Sequence, residues 1–213
     1  MDLISMYIRY MYIGILFLLI AVLPGCVNNS YPYPLHKDIT VTVFWVGEEG
    51  TDENGYISNN QSAWDTNWIG HYGGIDDPYN RSGFFPKNFI PEENSFYFAL
   101  PYNDFDESGR KSSEKGKPIF KNRWIRIVKE NKTAYAQWED VGPFGEDDAD
   151  YVFGESKPKN KINNNAGLDV SPAVRDYLRL EEIDVVDWQF VDSNDVPEGP
   201  WTEIITRSHI YWS

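Results

Sequence analysis

The chain has little cysteine and little positive charge. Its 213 residues contain one cysteine, Cys26, and 19 Lys and Arg against 33 Asp and Glu, which gives a formal net charge of -14 at pH 7. A single cysteine excludes an internal disulfide, so the core must hold without one. The negative charge excludes nucleic acid as a partner, because the chain would repel its phosphates.

Several signatures of catalytic and metal-binding proteins are also missing. The sequence has no Gly-rich phosphate loop, no G-x-S-x-G nucleophile elbow and no zinc-spaced set of His and Cys. The segment DFDESG, Asp104–Gly109, begins like a calcium-binding loop, but Lys115 stands at its twelfth position, where a Glu is required. We therefore predict neither a metal ion nor a cofactor.

The N-terminus lacks a hydrophobic run long enough to span a bilayer. The apolar stretch Ile13–Leu23 is about half of the ~20 residues that a spanning helix needs, and Pro24 ends it. The tetrad LPGC at positions 23–26 resembles a bacterial lipobox, in which the cysteine is lipidated and becomes the first mature residue. This resemblance implies a signal peptide at residues 1–25 and lipidation of Cys26.

The lipobox also implies a location in the bacterial cell envelope, with the chain attached to the membrane through the lipid on Cys26. An Asp directly after the cysteine would resemble an inner-membrane retention signal. The residue at this position is Val27, so the outer membrane is expected. An uncleaved anchor with a chance cysteine is the alternative.

The remaining sequence predicts a short tether and one mainly β domain. Residues 26–38 are polar and Pro-containing, which is typical of an extended tether, and the domain follows at 39–213. Runs rich in β-branched and aromatic residues predict five strands. These are Ile39–Val46, Ser95–Tyr102, Asn122–Glu130, Lys132–Glu139 and Val185–Asp192.

Long loops and one clear helix separate these strands. Residues 47–93 and 145–166 show no sustained helical period and are predicted to be inserted loops. A helix is predicted to begin at Pro172, because Ser171 is a natural N-cap and proline fits the first helical position. One or two short helices are expected in all.

Two acidic residues occupy the most informative positions. Asp140, in WEDVGPF, and Asp169, in GLDVSPAVRDYL, each lie where a strand-like run meets a turn or a helix start. Such positions hold a carboxylate on a rigid scaffold, as proton transfer and ligand binding both require. A helix N-terminus favours the ionised carboxylate and burial the protonated form, and the sequence leaves this open. The alternative is structural: an Asp at a turn that only binds backbone N–H groups.

These segments resemble the double-psi β-barrel proteins of the rare lipoprotein A type, in which a D-x-G-P-F turn precedes an I-D-L-S helix start. The counterparts here are DVGPF, Asp140–Phe144, and LDVSPA, Leu168–Ala173. The resemblance covers roughly residues 95–192, and expansins and family 45 endoglucanases are more distant relatives. It implies a six-stranded double-psi β-barrel with one or two short helices and long loop insertions.

The resemblance further implies that the chain binds or cleaves cell-wall polysaccharide, with peptidoglycan as the expected partner. The family's lytic transglycosylases protonate the glycosidic oxygen with an acidic residue, which makes Asp140 the candidate acid/base and Asp169 its catalytic support. The endoglucanase base would fall at Val46–Gly47, with Glu48 and Glu49 only nearby, so hydrolysis is not expected. A non-catalytic module that binds glycan or protein, or a structural envelope lipoprotein, is the alternative to an enzyme.

Aromatic side chains supply candidates for substrate binding. Phe, Trp and Tyr make up 16% of the chain, and their faces can stack on sugar rings, although core packing is the alternative for each of them. His71 has Asp76 and Asp77 nearby in sequence and is a candidate for ligand binding or proton transfer. The predicted substrate-binding residues are Trp138, Trp64, Trp68, Tyr102 and His71.

Overall fold

The structure, a computed structural model, describes residues 32–52, 54–104 and 118–207. The signal peptide predicted at residues 1–25 and the predicted lipidation site, Cys26, lie outside the described residues.

Six strands close into a barrel. The strands are β1 (His36–Val43), β4 (Tyr97–Leu100), β5 (Trp124–Lys129), β6 (Lys132–Val141), β7 (Leu168–Val170) and β8 (Ile183–Val191). Around the barrel they follow the order β1-β7-β4-β6-β5-β8. The pairs β1/β7 and β4/β6 are parallel, and the other four neighbouring pairs are antiparallel. The predicted mainly β fold with a six-stranded barrel is confirmed, and the two parallel pairs are consistent with a double-psi connection.

Short elements decorate the barrel. The described part of the chain contains helices α1 (Trp68–Tyr72), α2 (Ala149–Val152) and α3 (Pro172–Leu178), and a small antiparallel pair, β2 (Arg81–Ser82) with β3 (Phe85–Pro86). The described residues thus form three helices, whereas the sequence predicted one or two. None of the helices in the described ranges is long and apolar enough to cross a membrane.

The first strand begins earlier than the sequence predicted. β1 starts at His36 and ends at Val43, whereas the prediction was Ile39–Val46, so the last residues assigned to the tether belong to the barrel. The cause is the pairing of His36 with Trp188 of β8, where the two rings stack with centroids 3.9 Å apart. Contact with a distant strand thus extends β1 beyond its β-branched run.

Alternation along β4 divides the core into two layers. Phe96, Phe98 and Leu100 point into the barrel, where they join its main hydrophobic core. Tyr97 and Ala99 point outward and belong to a second buried cluster that includes Trp68 and Tyr72 of α1. The insertion at 47–93 therefore covers part of the outer surface of the barrel, and burial of these rings holds it there.

Helix α3 begins as predicted. Ser171 is its N-cap, and its hydroxyl accepts a hydrogen bond from the N–H of Val174 at 3.4 Å. The same hydroxyl accepts from the N–H of Tyr97 at 3.3 Å, so one buried oxygen joins the helix start to β4.

Replacing Ser171 with Ala is expected to lower the free energy of unfolding by about 1–2 kcal/mol, because the cap is lost and two N–H groups lose their acceptor. Urea denaturation measures this value. Ser193→Ala, at an exposed position in a 3-10 turn without a side-chain cap bond, should change it by less than about 0.5 kcal/mol. Equal losses in the two variants would contradict the capping role.

Candidate functional site

Both predicted acidic residues lie in one row across the barrel wall. Thr42 of β1 pairs with Asp169 of β7, Asp169 pairs with Ala99 of β4, and Ala99 pairs with Asp140 of β6. Residues directly opposite one another on neighbouring strands share a face of the sheet. The two carboxylates therefore stand on the outer face of the barrel with only the small side chain of Ala99 between their strands.

A β-bulge directs Asp140 to that face. Trp138 pairs with Phe98 and Asp140 with the next residue, Ala99, so Glu139 is the extra residue in β6. Regular alternation would place Asp140 on the same face as Trp138, which is in the barrel core. The bulge turns the carboxylate outward instead, a known use of this irregularity.

A cleft of about 320 Å³ contains the row, a size typical of small-molecule sites. Asp140, Asp169 and Ala99 line it together with segments of the 47–93 insertion. Its aromatic lining consists of Phe44, Trp45, Tyr79 and Phe144, and its acidic lining consists of Glu48, Asp140, Asp169 and Glu182. The insertion thus forms part of the site.

Asp140 is buried, and the protein fixes one of its two carboxylate oxygens. Its Oδ1 accepts hydrogen bonds from the N–H groups of Ala63 at 2.7 Å and Val141 at 2.8 Å. No hydrogen bond from the described residues reaches its Oδ2. Burial raises the pKa of Asp140 to about 7, against the two N–H bonds, which lower it. A carboxyl group of this pKa can both donate and accept a proton near neutral pH.

Asp169 has a similar environment. The hydroxyl of Thr42 donates a hydrogen bond to its Oδ1. Burial raises the pKa of Asp169 to about 7; the Thr42 bond lowers it, and the carboxylates of Asp140 and Glu48 raise it further. The interaction with Asp140 thus favours the protonated form of Asp169.

Gly142 keeps the second oxygen of Asp169 accessible. A Cβ at position 142 would lie 3.3 Å from Asp169 Oδ2 and 3.9 Å from the Cβ of Ala99. Any side chain at position 142 would therefore press on this carboxylate. The glycine of the DVGPF turn thus has a steric role in the cleft.

Glu48 adds a third carboxyl group to the cleft. The sequence placed it only near the position of the endoglucanase base. Its Oε2 accepts a hydrogen bond from Asn59 Nδ2 at 2.8 Å, and burial raises its pKa. Trp45, Tyr79 and Phe144 were not singled out by the sequence either. Trp45 lies in the predicted first strand and Phe144 in the D-x-G-P-F turn, so a sequence pattern marks both positions. Tyr79 lies in an irregular segment that no pattern marks.

The three predicted tryptophans do not line the cleft. Trp64 and Trp138 are fully buried in the main core and Trp68 in the outer cluster, so no indole face remains for a sugar ring. Their predicted place in substrate binding is corrected to packing. Trp138 also orders the site, because its Nε1 donates a 2.7 Å hydrogen bond to the carbonyl of Asp140.

Tyr102 and His71 also lie away from the cleft lining. Tyr102 packs edge-on against Phe120 and Phe153. His71 Nδ1 lies 2.9 Å from both carboxylate oxygens of Asp65, rather than beside Asp76 or Asp77. Within the described ranges, no three His, Cys, Asp or Glu side chains are grouped so that they could hold a metal ion.

No protein-family model matches this chain, and no curated protein is similar to it in sequence. The chemistry of the site must therefore carry the functional argument, since one fold hosts many functions.

Proposed function

We propose that this protein is an envelope lipoprotein that cleaves cell-wall glycan by a lytic reaction, with Asp140 as the acid/base. One observation supports the proposal above all: two carboxyl groups with pKa values of about 7 share a row in a cleft with aromatic lining. Raised carboxyl pKa values of this kind are what general acid catalysis at neutral pH needs.

The proposed reaction uses the second carboxylate oxygen of Asp140, Oδ2. Protonated at Oδ2, Asp140 donates its proton to the glycosidic oxygen as the bond to the sugar C1 breaks. The resulting carboxylate then takes a proton from a hydroxyl of the same sugar as that hydroxyl attacks C1 and closes an anhydro ring. Ala63 and Val141 hold Oδ1 throughout, which fixes the direction of Oδ2.

Asp169 supports this step electrostatically. As a carboxylate, it stabilises the positive charge that develops on the sugar ring in an oxocarbenium-like transition state. The Coulomb interaction between the two carboxylates raises the pKa of Asp169. Because neighbouring carboxyl groups resist double ionisation, the reaction starts from the form in which Asp169 is charged and Asp140 is protonated. The resemblance to the rare lipoprotein A type assigns the same two positions.

Digestion of purified peptidoglycan by the full-length protein tests the proposal. We expect soluble fragments that end in an anhydro sugar, identified by mass spectrometry, and a loss of these fragments with Asp140→Asn. If the wild-type protein releases no more than this variant, the lytic function is rejected. Fragments that end in a reducing sugar would instead indicate hydrolysis with a second carboxylate in the cleft.

A non-catalytic glycan-binding role is the second candidate. It is favoured by the two backbone N–H bonds to Asp140 Oδ1, which are typical of a structural aspartate. A pull-down with insoluble peptidoglycan separates the two: binding without product release supports the binding module.

A further inference from the structure

Tyr79 is a strongly exposed aromatic residue beside the carboxylates. Its side chain is 81% exposed, yet the residue lines the cleft that contains Asp140 and Asp169. An exposed aromatic residue by itself needs no functional explanation. The support beneath Tyr79 is what distinguishes it.

The turn that carries Tyr79 is held by hydrogen bonds on both sides. The carboxylate of Asp77 accepts from the N–H of Tyr79 at 2.8 Å, and its carbonyl accepts from the N–H of Asn80 at 3.2 Å. From helix α3, Arg175 Nη2 donates to the carbonyl of Pro78 at 3.1 Å. The backbone of Tyr79 is therefore fixed although its ring is in solvent.

A buried ion pair anchors the start of this turn. Asp76 is fully buried, and its carboxylate accepts from Arg81 Nη1 and, at 2.9 Å, from the hydroxyl of Tyr97. Its N–H donates to the carbonyl of Val46 at 3.0 Å, next to the cleft residue Trp45. A buried pair is not a strong source of stability, but here the bonds from Arg81 and Tyr97 hold the Asp76 carboxylate in one orientation.

We propose that the ring of Tyr79 is a stacking platform for one pyranose ring of the glycan, and that Asp76 and Arg81 are positioning residues for it. The inference rests on the proposed function and names the residue that binds the sugar chain outside the reacting bond. A pyranose presents a flat face of C–H groups, and a tyrosine with a fixed backbone offers a flat ring that has few rotamers to lose on binding. Because Tyr79 lies in the 47–93 insertion, the platform belongs to this chain's own elaboration of the barrel.

Cleavage kinetics on sonicated peptidoglycan with the full-length protein test the platform. Tyr79→Ala is expected to raise KM about 10-fold with kcat changed by less than about 2-fold, because stacking outside the reacting bond contributes uniform binding. Tyr79→Phe keeps the ring and should restore wild-type KM. The matched control is Tyr56→Ala, a tyrosine that is 73% exposed but does not line the cleft; it should leave both constants unchanged.

The positioning role has its own readout. Asp76→Asn should also raise KM, as Tyr79→Ala does. In the double variant Asp76→Asn/Tyr79→Ala, KM should be no higher than in Tyr79→Ala alone, since the two residues act through one ring. An additive rise would reject the positioning role of Asp76.

Four outcomes decide the platform and the proposed function separately. If the wild type cleaves and Tyr79→Ala raises KM while Tyr79→Phe and Tyr56→Ala do not, both hold. If the wild type cleaves and Tyr79→Ala has wild-type KM, the platform is rejected and the function stands. If the wild type binds peptidoglycan without cleaving it and Tyr79→Ala weakens that binding about 10-fold, the lytic function fails and the platform holds. If the wild type does neither, both are rejected.

Discussion

Replacing Asp140 with Asn is expected to lower the rate of glycan cleavage at least about 100-fold and, at pH 8, to make the protein more stable. The loss of rate follows from removal of the proton donor, since a general acid contributes about 10²- to 10⁴-fold. The amide of Asn keeps a carbonyl oxygen that can accept the N–H groups of Ala63 and Val141. The variant therefore removes the proton chemistry and leaves the hydrogen-bonded frame in place.

The gain in stability follows from the direction of the pKa shift. The pKa of Asp140 rises from 3.8 to about 7 on folding, so between these values the folded state binds more protons than the unfolded state. Stability is full below about pH 4, falls as pH rises to about 7 and is level above that. At about 1.4 kcal/mol per pKa unit, ionising Asp140 in the folded protein costs up to about 4 kcal/mol. Asn carries no such cost.

Urea denaturation at pH 4 and pH 8 measures the effect. The free energy of unfolding of Asp140→Asn should be about 2–4 kcal/mol higher than that of the wild type at pH 8 and nearly equal to it at pH 4. Asp184 provides a control of opposite sign. Burial raises its pKa, but hydrogen bonds from Lys129 and from the N–H groups of Val185 and Glu181 outweigh burial and lower it. Asp184→Asn should therefore lose stability above pH 4.

A matching pH dependence is expected in catalysis. Cleavage by the wild type should be greatest near pH 7 and fall on both sides, because Asp140 must be protonated to act as the acid and Asp169 must be ionised to support it. A variant that loses activity and also loses stability at pH 8 would instead indicate a structural aspartate. A combination of lower activity with higher stability is typical of functional sites that bury charge.

The sequence predicts the barrel where strands are long and alternate regularly. β5, β6 and β8 lie close to their predicted bounds, since each has at least six residues of strand pattern. It does not predict β7, which has three residues, or α1, which has five. Elements of that length show no complete period, and contacts with distant strands determine their conformation.

The two acidic residues in the cleft were predictable from the sequence, and most of the other residues that line it were not. Asp140 and Asp169 stood out because a turn and a helix cap follow them at fixed spacing. The bulge at Glu139 was not visible, and regular alternation with Trp138 would have directed Asp140 into the core. The tryptophans failed as sugar-binding candidates because large indoles gain most from burial, and composition does not distinguish a buried ring from an exposed one.

Replacing Lys121 with Met is expected to destabilise the protein by about 3–5 kcal/mol at pH 8. The side chain of Lys121 is fully buried, with its Nζ 2.5 Å from Glu139 Oε2 and 3.9 Å from Glu93 Oε1. Methionine has nearly the same length but no charge, so the buried carboxylate of Glu139 would lose the ammonium that lies against it. The neighbour of Asp140 in the WEDVGPF segment, Glu139, thus depends on a residue that no sequence motif linked to it.

Acid should partly rescue Lys121→Met. Burial raises the pKa of Glu139 to about 7, and Lys121 lowers it, so loss of the ammonium must raise it further. A raised carboxyl pKa lowers stability as pH increases, and the deficit of Lys121→Met against the wild type should therefore shrink from pH 8 to pH 5 to less than half. Urea denaturation at the two pH values measures it.

Two further variants test whether Lys121→Met loses stability because a charge is left buried. Lys159→Met removes a lysine that is 56% exposed and lies 3.7 Å from Asp148, and should cost less than about 1 kcal/mol. Adding Glu139→Gln to Lys121→Met should recover the larger part of the lost stability, because the uncompensated charge is then gone and only a neutral amide remains to be satisfied. If the double variant is as unstable as Lys121→Met, the loss comes from packing of the lysine stem rather than from the buried carboxylate. Recovery in the double variant would show that Lys121 stabilises the protein by compensating the buried charge of Glu139, the bulge residue next to Asp140.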